Sequence, residues 1–228
     1  RSNHQGINCN QKGNNNFWNH SRFLNGTLMR IFGIALILTF FAVPESVAEV
    51  PRESLKYKRE LIRHSRIIWG LDAPIPLFAS QIHQESTWNH LAKSKYAKGL
   101  TQFTDSTAEW MIEIFPELKR ANVFNPIWSM RAMLLYNSWL NQRIESIDEC
   151  NQWAMILSSY NGGLTWLNRD KALADGEGSN PDIWWDHVEK YSNRAEWAIT
   201  ENRNYSRNII FKHQPMYSAW GDFSICTD

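Results

Sequence analysis

The sequence predicts a mainly α-helical protein that folds as a single domain. Proline, asparagine and glycine stand at the positions where helices begin and end. No segment shows the strict alternation of apolar and polar residues that a half-buried strand requires. The 228 residues include 43% hydrophobic and 21% charged side chains, which is typical of globular domains. The 12 tryptophans predict an aromatic-lined groove in that domain.

The amino-terminal residues are expected to lie outside the domain. Residues 1–28 are rich in Asn, Gly and Gln and predict a disordered or artificial leader. Residues 29–48 have the order of a secretory signal peptide, with Arg30, an apolar run over 31–43 and small residues near the end. A retained membrane anchor is the alternative, but the run is shorter than the roughly 20 residues that a span needs. The mature domain is therefore predicted over 49–228.

Cap and breaker residues predict six helices in this domain. We expect them over about 51–70, 76–86, 106–114, 126–140, 149–159 and 194–207. Gly70 ends the first helix, and Ser106 with Glu109 forms a capping box for the third. Segment 89–104 is predicted to be a loop or short extended structure, and segment 174–182 a loop. The C-terminal tail carries only a weak pattern.

Charge and metal-ligand spacing exclude several function classes. The formal net charge of +1 lacks the broad basic field of a nucleic-acid binder, so no nucleic-acid partner is expected. The seven histidines include no His-Glu-x-x-His pattern, and no Cys-x-x-Cys pair occurs. No metal and no cofactor are therefore expected.

Two cysteines remain after the predicted signal peptide. Cys150 and Cys226 form an even pair in a chain predicted to reach an oxidising compartment, which is compatible with a disulfide. Two free thiols are the alternative, because the sequence does not give the distance between them.

Glu85 is the first candidate for catalysis. It lies near the end of an apolar helical segment, between Ile82 and Trp88. Apolar surroundings disfavour the charged form of a carboxyl group, so such a group stays protonated near neutral pH and can donate a proton. The alternative is an ordinary solvated glutamate at a helix end.

Four segments in order point to one protein family. They read ESTWN at 85–89, GLTQF at 99–103, SYNGG at 159–163 and ENRNY at 201–205. The sequence here resembles the soluble lytic murein transglycosylase (SLT) family over about residues 74–210. The signatures of that family are Glu-Ser with a following Asn, Gly-Leu-Met-Gln, Ala-Tyr-Asn-Ala-Gly and Glu-Thr-x-x-Tyr-Val.

The resemblance implies a fold, a substrate and a set of site residues. The implied fold is lysozyme-like, of the goose type, with a helical bundle around a substrate cleft. The implied catalytic acid and base is Glu85. The implied substrate-binding residues are Ser86, Gly99, Leu100, Gln102, Tyr160, Asn161, Glu201 and Tyr205. The implied partner is the glycan strand of peptidoglycan, met in the periplasm or cell envelope. We expect a monomer that has no stable membrane span after signal cleavage.

Some positions depart from the family signatures. Thr101 replaces the usual Met, and Tyr96 stands where a Gly is common. Gly162 replaces Ala, and in the last motif Asn202 and Ser206 replace Thr and Val. None of these changes removes a proton-handling group, but Tyr96 and Thr101 lie where they would alter the sugar contacts.

A single carboxylate implies a particular mechanism. Most glycosidases use two carboxylates. Asp105, the nearest aspartate downstream of Glu85, is expected to cap the following helix and not to act as the second carboxylate. The 2-acetamido oxygen of the substrate would then stabilise the charge at C1, and the 6-hydroxyl would attack to give a 1,6-anhydromuramyl end. Gln102 and Tyr160 are expected hydrogen-bond donors to the sugars.

Several alternatives stay open. A goose-type lysozyme would use the same glutamate but would hydrolyse the glycosidic bond with water. A catalytically silent wall-binding component of a phage or secretion apparatus would bind the glycan strand without cleaving it. The Ser86 hydroxyl either contacts substrate or only caps its helix. Trp184 and Trp185 are either core residues or a distal sugar subsite.

Overall fold

Eight α-helices account for most of residues 49–226, the part of the chain that this computed structural model describes. In chain order these are α1 (Arg52–Leu55), α2 (Lys58–Trp69), α3 (Ile75–Ser86), α4 (Asp105–Ile114), α5 (Pro126–Asn141), α6 (Glu149–Gly162), α7 (Leu164–Gly176) and α8 (Glu196–Arg207). Shorter helical turns cover Pro116–Leu118, Val188–Lys190, Asn208–His213 and Gln214–Trp220. The predicted mainly α-helical class is confirmed.

Helix α3 lies at the centre of the packing. It contacts α2 and the two C-terminal turns, while α6 packs against α5, α7 and α8. The buried face of α3 carries Leu77, Phe78 and Ile82, each fully excluded from solvent. Because α3 is fixed on several sides, the residues at its C-terminal end are held in a defined position.

Several predicted helix ends are confirmed. Gly70 ends α2 with a φ of 84°, a backbone conformation that glycine adopts without strain. The Asn125 side chain accepts hydrogen bonds from the N–H groups of Ile127 and Trp128, and Pro126 is the first residue of α5. Helix α6 begins at Glu149 as predicted but continues to Gly162, three residues past the expected end.

The first predicted helix is interrupted. Instead of one helix over 51–70, α1 and α2 are separated at Lys56 and Tyr57. The Tyr57 ring stacks on Trp88, with 6.2 Å between the ring centroids, and the Tyr57 hydroxyl lies 3.2 Å from the His90 ring. These contacts, made with residues distant in the sequence, hold Tyr57 at the break between α1 and α2. The local sequence pattern could not predict them.

The predicted cap of α4 is wrong. The Thr104 side chain, rather than Ser106, accepts the hydrogen bond from the Thr107 N–H, at 3.1 Å. Asp105 is the first residue of the helix and not its cap, and its carboxylate pairs with Lys98 at 2.7 Å. Two isolated β-bridges, Lys93 with Lys98 and Lys98 with Phe103, give the preceding loop the short extended structure that was expected.

Two helical segments were not predicted. Helix α7 occupies residues that carried no clear signal and extends into the first part of the predicted loop 174–182. The C-terminal tail is helical over most of 208–220, where Ile209 and Tyr217 are buried. The contacts of this tail with α3 explain why it is helical, because a segment with a weak sequence pattern gains helical structure from packing.

The structure resolves the question of the two cysteines. Cys150 at the start of α6 and Cys226 near the C-terminus form a disulfide, although they are 76 positions apart in the sequence. The indole N–H of Trp185 donates a hydrogen bond to the Cys150 sulfur at 3.1 Å. The bond therefore ties the C-terminal segment to α6.

The predicted leader at 1–28 and the predicted signal peptide at 29–48 lie outside the described residues. Residues 49–226 belong to one compact unit. The domain bounds 49–228 remain a prediction. Within the described range, no helix is both long enough and apolar enough to cross a bilayer.

Candidate active site

Glu85 lies one residue before the end of α3, where the chain changes direction sharply. Thr87 and Trp88 both adopt left-handed backbone conformations, with φ of 50° and 65°. Trp88 is 1% exposed and donates its indole N–H to the Tyr217 hydroxyl at 2.6 Å. Such strain persists only where surrounding contacts compensate for it, so the buried indole fixes the end of α3 and the position of Glu85.

The carboxyl group of Glu85 is protonated near neutral pH. Burial raises the pKa of Glu85 to about 8, and the nearby negative charge of Glu201 adds to this increase. The Tyr205 hydroxyl donates a 2.5 Å hydrogen bond to Oε1 of Glu85, which opposes the increase in the pKa. Because burial outweighs this bond, Glu85 is an acid that can donate a proton at neutral pH.

A chain of buried polar groups holds Tyr205. The Gln81 amide donates to the Tyr205 hydroxyl at 3.3 Å, and Asn137 donates to Gln81 at 2.6 Å. Gln81 and Asn137 are fully buried, and Tyr205 is 5% exposed. Since the tyrosine hydroxyl accepts from Gln81, its own hydrogen is available for Glu85.

The loop at 99–103 is fixed against α3. Gly99 has a φ of 80°, and a Cβ atom at this position would lie 1.7 Å from the Val123 carbonyl oxygen. The Ser86 hydroxyl donates to the Leu100 carbonyl at 2.7 Å, and Leu100 is fully buried. Gln102 adopts a φ of 48° and donates its amide to the Gly99 carbonyl at 2.8 Å. The loop therefore holds Gln102 beside the end of α3.

Tyr160 lies between aromatic rings and the same loop. Its ring centroid is 5.8 Å from that of Phe103 and 5.3 Å from that of Tyr136. Its hydroxyl donates to the Thr101 carbonyl at 2.9 Å. Burial raises the pKa of Tyr160 well above its ordinary value, so this hydroxyl stays protonated and its hydrogen stays in that bond.

A polar network supports the segment after Tyr160. Asn202 donates to Asn161 at 2.9 Å and accepts from Arg194 at 3.1 Å. The side chain of Arg194 is 6% exposed and pairs with the fully buried carboxylate of Asp170 at 2.6 Å. A Cβ atom on Gly162 would lie 2.5 Å from this guanidinium, so the glycine that replaces the family's alanine makes room for Arg194.

These segments enclose a cleft of about 730 Å³. Five of the residues proposed from the sequence line it: Glu85, Gln102, Tyr160, Asn161 and Glu201. Five aromatic residues complete its walls: Tyr96, Phe103, Tyr136, Trp166 and Trp197. An acid, several polar groups and flat apolar rings in one open cleft are the chemistry that a carbohydrate requires.

The sequence was compared with protein families and curated proteins. Residues 72–183 match the family model described as the transglycosylase SLT domain. This part of the chain belongs to the SLT family. The SLT match includes Glu85, the loop at 99–103 and Tyr160, whereas Glu201 and Tyr205 lie beyond it.

Curated relatives agree with the family. A membrane-bound lytic murein transglycosylase F from Pseudomonas fluorescens (strain Pf0-1) is 27% identical over 195 residues, which are 80% of this chain and 37% of that protein. A protein of the same name from Hahella chejuensis is 33% identical over 135 residues, 58% of this chain and 25% of that protein. The SLT chain described here thus spans between a quarter and two fifths of the length of these relatives.

The structure separates the predicted site residues of the SLT domain into two groups. Those that line the cleft are named above, and Tyr205 contacts the acid directly. Ser86, Gly99 and Leu100 are not among the lining residues, and their contacts join α3 to the loop. The binding roles of all these residues remain predictions.

The expected donor role of Gln102 and Tyr160 differs from the geometry. Gln102 uses its amide N–H groups on the Gly99 and Ala92 carbonyls, and Tyr160 uses its hydroxyl hydrogen on Thr101. Both side chains therefore present acceptor atoms to a ligand rather than donors.

The sequence predicted an aromatic-lined groove but did not identify Tyr136, Trp166 or Trp197 as its lining, and it missed the buried arginine. Trp197 precedes Glu201 by four positions on α8, so helical spacing could have placed both on one face. Arg194 is recognised only from its buried partner Asp170, and no sequence signal joins the two.

The tryptophan pair at 184–185 belongs to the core. Trp184 is fully buried and stacks against the Arg203 guanidinium at 4.7 Å, and neither indole lines the cleft. His83 stacks on His213 with 4.3 Å between the ring centroids. Within residues 49–226, no group of three or more His, Cys, Asp or Glu side chains is arranged to hold a metal ion.

Proposed function

We propose that this chain is a lytic transglycosylase that cleaves the β-1,4 bond between N-acetylmuramic acid and N-acetylglucosamine in peptidoglycan. The observation that carries the proposal is a protonated glutamate, Glu85, held by Tyr205 in an open cleft. Membership of the SLT family and the printed name of the relatives, lytic murein transglycosylase F, support the same substrate and reaction.

Glu85 would act first as an acid. The hydrogen bond from Tyr205 occupies Oε1, so the proton belongs on Oε2. Oε2 gives this proton to the glycosidic oxygen as the bond from C1 to that oxygen breaks. The 2-acetamido oxygen of the muramyl residue bonds to C1 and takes up the positive charge that develops there. Positioned proton transfer of this kind contributes typically 10²–10⁴-fold to a rate.

Glu85 would then act as a base. The carboxylate removes the proton from the muramyl 6-hydroxyl, whose oxygen attacks C1 and displaces the acetamido oxygen. The product is a 1,6-anhydromuramyl end, no water is consumed, and the acid is restored. Tyr205 stabilises the carboxylate between the two steps through the hydrogen bond that it already makes.

Glu201 makes the hydrolytic alternative testable. It is a second carboxylate in the cleft, exposed to solvent, and lies 3.5 Å from the Asn161 amide. A muramidase would use such a group to activate water. In our proposal Glu201 has an electrostatic role instead, because its charge favours the protonated form of Glu85.

Product analysis tests the proposal. Purified peptidoglycan is digested with wild type, with Glu85→Gln and with Glu109→Gln, an exposed glutamate on α4 that does not line the cleft. We expect wild type and Glu109→Gln to release fragments with anhydro ends, which are lighter by one water than reducing ends, and Glu85→Gln to release none. Reducing ends would establish a muramidase, and equal inactivity of wild type and Glu85→Gln would indicate a silent binding module.

We also propose that the protein works in the cell envelope. The signal pattern at 29–48 and the membrane-bound relatives support this location. Expression of the full chain in a bacterium, followed by fractionation and mass analysis of the mature N-terminus, distinguishes cleavage after Ala48 from a retained anchor. Recovery of uncleaved protein only in the cytoplasm would contradict the proposal.

A further inference from the structure

The two most exposed aromatic side chains of the described residues lie in the same cleft. Trp197 is 71% exposed and Tyr96 is 70% exposed, and both line the cleft that contains Glu85. The other exposed aromatic side chains, Phe124 and Phe211, are 39% and 49% exposed and do not line it. Single exposed apolar residues need no explanation, but two large rings in one cleft indicate a ligand surface.

Trp197 belongs to a stripe along one face of α8. It precedes Glu201 by four residues and Tyr205 by eight, so the three side chains lie on successive turns of the same face. At about 1.5 Å per residue, Trp197 is roughly 12 Å along the helix from Tyr205. Because Tyr205 contacts Glu85, Trp197 lies on the wall of the cleft at a distance from the acid.

Tyr96 is presented by an ordered turn. The Ser94 hydroxyl accepts hydrogen bonds from the N–H groups of Tyr96 and Ala97, at 3.3 and 2.9 Å. The Lys95 ammonium lies 4.8 Å from the centroid of the Tyr96 ring. The turn therefore orders the backbone at Tyr96, while most of the ring surface is open to solvent.

We propose that Trp197 forms a sugar-binding subsite distal to Glu85 and that Tyr96 adds a second stacking surface in the same cleft. Both rings would take the apolar faces of pyranose rings in a glycan strand. The inference rests on the proposed function. A pyranose ring presents C–H groups on its faces and hydroxyl groups around its rim. The electron-rich face of an indole or phenol attracts such C–H groups, while the hydroxyl groups stay in water.

The length of the ligand provides a specific test. Binding of N-acetylglucosamine oligomers of increasing length is measured by calorimetry with Glu85→Gln protein, which holds ligand without cleaving it. We expect affinity to increase with length until the distal subsite is filled. Adding Trp197→Ala should weaken binding of the long oligomers about three- to tenfold and leave the disaccharide unchanged. Tyr96→Ala should act in the same direction, and Trp197→Phe should restore most of the loss.

Matched controls separate this result from a folding defect. Phe211→Ala, an exposed aromatic change outside the cleft, should leave the affinity for every oligomer unchanged. In otherwise wild-type protein, Trp197→Ala should increase KM for peptidoglycan with kcat retained, which is the signature of a lost binding contact.

Two results would contradict the proposed subsite. Equal affinity of Glu85→Gln and its Trp197→Ala derivative for long oligomers would overturn it and leave the proposed function intact. Absence of oligomer binding by Glu85→Gln would also contradict the subsite. This result would contradict the proposed function only if the wild-type protein also failed to shorten glycan strands.

Discussion

Tyr205 donates a 2.5 Å hydrogen bond to Glu85 across 120 residues of sequence. The bond joins α8 to the end of α3, so the acid and the helix that closes the cleft form one unit. It favours the ionised form of the carboxyl group, whereas burial and the charge of Glu201 favour the protonated form. The pKa of about 8 is the balance of these opposing effects.

Removal of the tyrosine hydroxyl should shift the pH profile upward. In Tyr205→Phe, Glu85 loses a donor that stabilises its charge, so its pKa rises and the loss of activity at alkaline pH moves to higher pH. Turnover at neutral pH should fall about ten- to hundredfold because the acid is no longer held in place. The measurement is kcat/KM against pH. Tyr160→Phe is the control, since that hydroxyl donates to Thr101 and not to Glu85, and an unshifted alkaline limb in Tyr205→Phe would contradict the assignment.

Removal of the Glu201 carboxylate should shift the pH profile of kcat/KM downward, opposite to the effect of Tyr205→Phe. In Glu201→Gln, the charge that disfavours ionisation of Glu85 is gone, so the pKa of Glu85 falls and activity is lost at a lower pH than in wild type. Added salt should move the wild-type limb downward and the Glu201→Gln limb much less, because screening weakens the same interaction. A complete loss of turnover at every pH would instead assign Glu201 a direct role in the chemistry.

Gly99→Ala should destabilise the protein strongly. The added Cβ would lie 1.7 Å from the Val123 carbonyl oxygen, a backbone atom that cannot move independently. We expect a loss of about 3 kcal/mol or more in the free energy of unfolding, measured by urea denaturation. Gly178→Ala is the matched control, because Gly178 has a similar φ of 75° with open space around it. It should cost only about 1–2 kcal/mol, the cost of the left-handed backbone alone, and equal losses would show that the Val123 contact is unimportant.

Loss of the disulfide should reduce stability without removing the active site. Cys226→Ser opens a loop of 76 positions, and we expect a loss of about 2–4 kcal/mol in the free energy of unfolding. Activity below the unfolding temperature should be retained, since neither cysteine lines the cleft. Thermal unfolding and peptidoglycan digestion measure the two effects. A wild-type protein whose unfolding temperature does not change on reduction would contradict the stabilising role of this bond.

The helix ends that the sequence predicted correctly are set by local chemistry. Gly70 ends α2 because of its own backbone freedom, and Asn125 with Pro126 begins α5 because the cap and the first turn need only adjacent residues. The break at Tyr57 and the order of the C-terminal segment escaped prediction because both depend on distant partners, Trp88 and α3.

The sequence by itself determined the helical class, the four ordered segments and the identity of the candidate acid, because caps, apolar spacing and motif order are written in neighbouring residues. Only the tertiary structure decided that Glu85 is buried enough to stay protonated, that Tyr205 reaches it, and that Cys150 pairs with Cys226. It also decided which tryptophans enter the core and which face the cleft. Burial and charge proximity are properties of residues brought together from distant parts of the chain, and no local pattern contains them.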